Sequence, residues 1–398
     1  MPERASAPAS GKSRRFAPEL TGPATQEEES RLRTWVGALL VLVLLYVFLV
    51  SIGLLGTGFK TFGKGFANAL IATTSNPFLG LFIGILATSI IQSSSTVTSM
   101  VVAFVAAGTL TVESSIPIVM GANIGTTVTN LLVSLAHMSR KAEFRRALAA
   151  ATVHDFFNVL AVAVLLPLEL TTHYLQRTSE FIATFLVGSS SMSFASPVKV
   201  ATQPLIVLFK GTLTGMGLSK GWAGTILVIA GLLLLVFSLI YITKIMRSLL
   251  ITRVEAFFHK TVGGSGLMGI FMGLVITAVV QSSSVTTSLM VPMAATGIVS
   301  LRQVFPITLG ANLGTTVTAL LASLTGNAAG LTIALCHCLF NLTGTVLIYP
   351  IPAIREIPLR MSEGLANVAS RSRIVAILFV LGTFFVIPAL LIFIFRLL

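Results

Sequence analysis

The stretch GLFIGILATSIIQSSSTVTS, residues Gly80–Ser99, returns 189 positions later as GIFMGLVITAVVQSSSVTTS, residues Gly269–Ser288, with ten of twenty positions identical. The same spacing relates IPIVMGANIGTTVT at Ile116–Thr129 to FPITLGANLGTTVT at Phe305–Thr318, where ten of fourteen positions match. Self-similarity at a constant spacing is the signature of a duplicated structural unit. We therefore expect two copies of one fold within the chain.

Charged residues make up only 10% of the 398 residues, whereas a soluble domain has about a quarter. No Asp, Glu, Lys or Arg occurs in residues 65–112, 261–301 or 303–354. About 20 apolar residues cross a bilayer as a helix, so these stretches hold several membrane segments. The composition predicts an all-α integral membrane protein.

Each copy is predicted to cross the membrane three times. The apolar arms on either side of the QSSS tips have about a dozen residues, or about 18 Å of helix, which is less than a bilayer core of about 30 Å. Each pair of arms is therefore predicted to form a re-entrant helical hairpin. An odd number of crossings places the second copy upside down, so the fold class is two inverted-topology repeats with interrupted transmembrane helices, a design found in secondary transporters.

The net charge of +13 is placed in short loops between the apolar runs. Basic clusters at Arg140–Arg146, Lys244–Lys260 and Arg355–Arg373 predict cytoplasmic loops and a cytoplasmic N-terminus. This placement argues against nucleic-acid binding. The predicted organisation is a disordered cytoplasmic tail (1–34), transport repeat 1 (35–170), an extracytoplasmic connecting loop (171–218), transport repeat 2 (219–350), and a basic cytoplasmic segment with a C-terminal transmembrane helix (351–398).

Three consecutive serines in an apolar run need polar partners. Any one serine is explained by a bond to the preceding turn or to a neighbouring helix. The repetition of the motif favours a binding site instead, because the returning helix of each hairpin begins with unpaired N–H groups and a partial positive charge. Two inverted tips would hold one tetrahedral oxyanion between them. The predicted ligands are Gln92, Ser93, Ser94, Ser95, Gln281, Ser282, Ser283 and Ser284.

Neither hairpin contains Lys or Arg, so co-transported cations are expected to neutralise the anion. The repeated Gly-Ala-Asn-x-Gly-Thr-Thr motif is predicted to unwind a helix and to expose carbonyl, amide and hydroxyl oxygens to sodium. The alternative is close helix packing through the glycines. The sodium ligands predicted from this motif are Asn123, Thr126, Thr127, Asn312, Thr315 and Thr316.

A further candidate lies in the segment His154-Asp-Phe-Phe-Asn158, which aligns with His337-Cys-Leu-Phe-Asn341. Asp155 lies within an apolar span, where an ionisable group is a functional candidate by default. We count Asp155 and Asn158 among the sodium ligands. A buried pair of Asp155 with His154 is the structural alternative.

With these motifs the chain resembles the type II sodium-dependent phosphate cotransporter family over about residues 35–350. The resemblance implies phosphate between the two QSSS tips, sodium close by, and inward symport by alternating access. Asp155 matches the electrogenic members, whereas Ala311 replaces a serine that relatives tend to have near a sodium site. The chain is similar to a compact bacterial member of the inner membrane.

Other readings remain open at this point. The carrier could take sulfate or a small organic anion, or use protons as the coupling ion, and a channel or scaffold is a third reading. No set of base, nucleophile and orienting acid indicates an enzyme. The expected partners are inorganic phosphate, sodium ions, the lipid bilayer and, as an open alternative, a second copy in a homodimer, with no cofactor beyond the co-transported sodium.

Overall fold

A computed structural model describes residues 23–187, 197–261 and 265–397 of the chain, and every regular element in these ranges is a helix. In chain order the helices are α1 (Pro23–Phe62), α2 (Lys64–Thr73), α3 (Pro77–Ile91), α4 (Ser94–Ala107), α5 (Val112–Gly125), α6 (Val128–Leu135), α7 (Lys141–Thr172), α8 (Tyr174–Val187), α9 (Pro197–Gly215), α10 (Lys220–Thr261), α11 (Gly266–Val280), α12 (Ser283–Thr296), α13 (Leu301–Ser323), α14 (Ala328–Ile348), α15 (Pro352–Arg371), α16 (Arg373–Leu381) and α17 (Ile387–Leu397). A π-helical turn at Gly382–Val386 joins α16 to α17.

Seven helices within the described ranges are long and apolar enough to cross a membrane, and this equals the number of full crossings predicted. They are Thr34–Phe62, Val112–Leu135, Lys141–Thr172, Lys220–Leu250, Leu301–Ser323, Ala328–Ile348 and Arg373–Arg396. The predicted all-helical membrane protein is confirmed at this level. Residues 1–22 of the predicted tail lie outside the described residues, and α1 begins within that tail, at Pro23.

Two helical hairpins contain the QSSS motifs: hairpin 1 is α3–α4 and hairpin 2 is α11–α12. Their arms have 14 or 15 residues and are therefore about 21–22 Å long, shorter than a bilayer core. Asn76 caps the start of hairpin 1 by accepting from the N–H of Phe78 at 2.9 Å, with Pro77 at the first helical position. Ser265 caps hairpin 2 in the same way.

Pairs of glycines bring the first arm of each hairpin against the following helix, α3 against α5 and α11 against α13. A Cβ built on Gly84 would collide with the carbonyl oxygen of Ile118, and one on Gly121 with that of Leu81. In repeat 2, Gly273 and Gly310 make the equivalent contacts. These glycines therefore permit close backbone packing, the alternative that the sequence left open.

The predicted interruption of the Gly-Ala-Asn-x-Gly-Thr-Thr helices occurs in one copy. Repeat 1 breaks at Thr126 and Thr127, between α5 and α6. Helix α13 of repeat 2 runs unbroken from Leu301 to Ser323, so the prediction of an interrupted helix there is wrong. Packing through Gly310 explains the motif without unwinding.

The second arm of each hairpin packs on the other repeat. Helix α4 lies against α13 and α14, and α12 lies against α6 and α7. A side chain of the other repeat holds the end of each second arm, although the two side chains are not equivalent: Asn327 Nδ2 donates to the carbonyl of Ala106 at 3.3 Å, and Arg146 Nε donates to that of Ala295 at 2.8 Å. Ala106 and Ala295 are 189 positions apart, so the arms cross over in both repeats.

The connection between the repeats contains two helices rather than an irregular loop. Helix α9 packs along α1, where Tyr46 donates its hydroxyl to the carbonyl of Ala201 at 3.0 Å. Glu169, near the end of α7, accepts from the N–H of Leu175 at 2.6 Å and so caps the start of α8. At the other end of the chain, α15 packs on α7 and α17 packs on α3.

Candidate functional site

The two QSSS tips have the same backbone conformation. Gln92 has φ 59° and ψ 26°, and Gln281 has φ 60° and ψ 25°, so both are left-handed and turn the chain between the arms. The Oε1 atoms of Gln92 and Gln281 accept from Thr129 and Thr318, each at 2.9 Å. Their Nε2 atoms donate to the carbonyls of Ser89 and Ala278. Both glutamine amides therefore anchor the tips to the protein.

The first serine of each motif is a helix cap. Ser93 accepts from the N–H of Thr96 at 3.2 Å, and Ser282 accepts from the N–H of Val285 at 3.3 Å. This is the expected role of serine at the residue before a helix. The cap uses a lone pair of each hydroxyl and does not use its O–H donor, which is the group that an anion would need.

The second and third serines occupy the first helical positions of α4 and α12, where N–H groups have no partner within the helix. Ser94, Ser95 and Ser283 are buried, at 4%, 5% and 3% exposure. Ser284 is half-buried, and its hydroxyl donates to the carbonyl of Thr126 at 3.5 Å, across the repeat boundary. Backbone N–H groups are thus available at both tips, and tip 2 lies at the contact between the repeats.

Asn123 is held by two side chains of the other repeat. Its Oδ1 accepts from Asn341 Nδ2 at 3.2 Å and from His337 Nε2 at 3.3 Å. Its own Nδ2 donates to the carbonyl of Val119 at 2.8 Å. The Oδ1 of Asn341 is buried without a hydrogen-bond partner.

Asn312 contacts the equivalent residues with the repeats exchanged, but its bond to the asparagine has the opposite direction. Its Oδ1 accepts from His154 Nε2 at 2.5 Å, and its Nδ2 donates to Asn158 Oδ1 at 2.7 Å. Asn158 in turn donates to the carbonyl of Asn123 at 2.8 Å. The histidine and asparagine of one repeat thus always meet the Gly-Ala-Asn asparagine of the other.

Asp155 lies beside the break between α5 and α6. Its Oδ1 accepts from the hydroxyl of Thr127, while Oδ2 is buried and has no partner among the described residues. The alternative pair with His154 does not form, because His154 Nδ1 and Asp155 Oδ2 both have no hydrogen-bond partner in the part of the chain that the structure describes, while Nε2 bonds to Asn312. A buried carboxylate with a free oxygen is costly alone, and a cation at this position stays a prediction. Cys338 occupies the equivalent position in repeat 2.

The remaining predicted sodium residues bond within their own helices. Thr126 and Thr315 donate to the carbonyls of Ala122 and Ala311, each at 3.0 Å, and Thr316 donates to the carbonyl of Leu313 at 2.6 Å. Their hydroxyl oxygens keep lone pairs for a cation.

Some contributing residues were not predicted. Thr129 and Thr318 fix the tip glutamines, and Asn341 and His337 hold Asn123. All four lie within the repeated motifs, so the repetition itself was the available signal. Asn130, which bonds Thr287 of hairpin 2 at 2.8 Å, aligns with Ala319 and gave no such signal.

The tips are not bonded to one another within the described ranges. Tip 2 contacts the other repeat through Ser284 and Thr126, and α4 of hairpin 1 packs on α13. The structure therefore places tip 2 at the repeat boundary, and the shared occupancy of the two tips stays a prediction.

The sequence profile of the Na+/Pi-cotransporter family matches residues 47–168 and 234–386. The chain is 35% identical to sodium-dependent phosphate transport protein 2B of Homo sapiens, over 89% of this chain and 64% of that protein. It is 34% identical to sodium-dependent phosphate transport protein 2A of Ovis aries, over 88% of this chain and 66% of that protein. The chain thus spans less than two thirds of the length of these relatives. No solved structure matches it.

Proposed function

This chain belongs to the Na+/Pi-cotransporter family, and on that basis we propose that it carries inorganic phosphate into the cell together with sodium. The observation that supports this is the matching backbone conformation of the two QSSS tips, together with second arms that each pack on the other repeat. Two inverted units meeting near the membrane centre suit alternating access, because a site between them can open to either side.

Phosphate is proposed to bind to the helix starts formed by Ser94 and Ser95 in hairpin 1 and by Ser283 and Ser284 in hairpin 2. Unpaired N–H groups and the positive ends of two helix dipoles favour an oxyanion there. Gln92, Ser93, Gln281 and Ser282 also shape the tips, because their oxygens accept hydrogen bonds from the protein. The O–H donors of Ser93 and Ser282 and the backbone of both glutamines stay in the proposed phosphate site.

One sodium ion is proposed to bind at Asp155, whose Oδ2 is the buried oxygen without a partner. The break between α5 and α6 lies beside Asp155, and the oxygens of Thr126 and Thr127 at this break are proposed as further sodium ligands. Thr126 also accepts from Ser284, which connects the cation position to tip 2 at a single carbonyl. Sodium favours such oxygen ligands.

The equivalent oxygens of Asn312, Thr315 and Thr316 form the proposed cation position of repeat 2. Cys338 replaces the carboxylate there, so this position has no fixed negative charge of its own. A charge difference between the repeats supports electrogenic transport, in which more positive than negative charge moves inward.

The proposed setting is a bacterial inner membrane with the N-terminus in the cytoplasm. Basic residues at Arg140–Arg146 and Arg355–Arg373 then lie inside, and the segment with α8 and α9 lies outside. A homodimer remains an open alternative.

The test is uptake of labelled phosphate by proteoliposomes that contain the purified chain. An inward sodium gradient should accelerate uptake relative to an equal potassium or proton gradient. Equal uptake without sodium would reject sodium coupling, and entry of labelled sulfate without phosphate would reject the substrate. Empty liposomes control for leakage.

A further inference from the structure

A cavity of about 430 Å³ opens beside the outer end of hairpin 2, where α7, α12, α13 and α15 meet. Arg145 and Arg146 of α7 line one side, and Glu363 and Asn367 of α15 line the other. Ser300, the cap of α13, completes the polar lining. Pockets for small ligands have volumes of about 300–1,000 Å³, so this cavity accommodates a small anion with hydration water.

The charged lining of the cavity is net positive. Two guanidinium groups face one carboxylate, Glu363, so the sum is one positive charge. The nearby Arg302 does not change this sum, because it forms a bidentate salt bridge with Glu356.

Both guanidinium groups are held in place by contacts that leave donors free. Arg146 Nε donates to the carbonyl of Ala295, and Arg145 Nη1 donates to Asn367 Oδ1 at 3.4 Å. A guanidinium has five N–H donors in a rigid fork, which matches phosphate oxygens bidentately. Arg146 thus connects the cavity to α12, the arm that begins at tip 2.

We propose that this cavity binds a phosphate group, either orthophosphate passing between the transport site and the cytoplasm or the headgroup of a phospholipid. The orthophosphate alternative rests on the proposed function. The cavity differs from the transport site in its requirement for sodium. The arginines give the lining a fixed net positive charge, so we expect binding here without sodium.

The experiment measures binding of labelled orthophosphate to the full chain in phosphatidylcholine nanodiscs, in buffer without sodium. Arg145→Gln should raise the dissociation constant about fivefold, since an exposed charge contact contributes up to about that factor. Glu363→Gln should lower it about threefold by removing the repelling charge. Arg177→Gln removes an exposed arginine of α8, away from the cavity, and should leave binding unchanged.

A second arm replaces part of the lipid by phosphatidylglycerol and measures lipid retained by the chain with native mass spectrometry. Loss of retained phosphatidylglycerol in Arg145→Gln, with orthophosphate displaced in the unmodified chain, identifies the headgroup as the ligand. Equal effects of Arg145→Gln and Arg177→Gln in both arms would overturn the proposal.

Sodium-driven uptake is measured on the same preparations. Its absence would refute the proposed transport while leaving an arginine-dependent phosphate site intact.

Discussion

Replacing Asp155 by Asn should remove one elementary charge from each transport cycle. The substitution is nearly isosteric and keeps an acceptor for the hydroxyl of Thr127, so the fold is expected to persist. The buried Oδ2 without a partner, however, loses the negative charge that attracts the proposed sodium ion.

The energetic consequence follows from the membrane potential. One charge crossing 100 mV contributes about 2.3 kcal/mol, which corresponds to a factor of about 50 in the phosphate concentration ratio that the carrier can sustain. The variant should therefore accumulate about 50-fold less phosphate at that voltage, even before the lost sodium gradient is counted.

The assay combines current recorded on a solid-supported membrane with labelled phosphate and sodium fluxes from the same proteoliposomes. Glu169→Gln is the matched control, because Glu169 is an acid of the same helix whose oxygens already cap α8. The control should keep the charge moved per phosphate. An unchanged charge per phosphate in Asp155→Asn would refute the role of this carboxylate.

Three further changes test the tips, the packing and the central contacts. Ser94→Ala should raise the phosphate concentration needed for half-maximal uptake about tenfold, through loss of one charge-assisted hydrogen bond; uptake kinetics like those of the unmodified chain would remove tip 1 from the site. Gly84→Ala should destabilise the protein by about 1–3 kcal/mol, because a backbone carbonyl cannot move aside. A thermal unfolding midpoint as high as that of Gly211→Ala, where no atom lies within 4 Å of the added Cβ, would contradict this. Asn312→Ala should leave His154 Nε2 without its partner and should therefore slow phosphate uptake. Amide hydrogen exchange in sodium-free buffer should show little change in the protection of helices away from this contact. Uptake at the unmodified rate would show that the contact is dispensable.

The membrane segments were predictable because the thickness of the hydrocarbon core sets a minimum length for a helix that crosses it, and apolar runs can be compared with that length. Hairpin arms of 14 or 15 residues and a helix such as Ala328–Ile348 differ in this respect, and the sequence alone separates them. The caps at Ser93 and Ser282 also follow from local chemistry, although these serines were predicted only as phosphate ligands.

The glycine motif shows where sequence reasoning fails. Gly310 in a helix is compatible both with unwinding and with a close helix contact, and only the position of Ile270 in space decides between them. The crossing of the second arms is likewise a property of the tertiary arrangement. Residues far apart in the chain, such as Asn123 and His337, come together for this reason, and no local pattern predicts their hydrogen bond.

The crossed arms also determine the order in which the chain can mature during synthesis. Helix α4 is inserted long before α13 and α14, so Thr98 and Ser99, both fully buried in the finished protein, emerge before their surroundings exist. The amino-terminal half consequently waits in the lipid, or with an insertion factor, until the carboxy-terminal half arrives. A chain truncated after α7 lacks α13 and α14, the two helices of the other half that pack on α4.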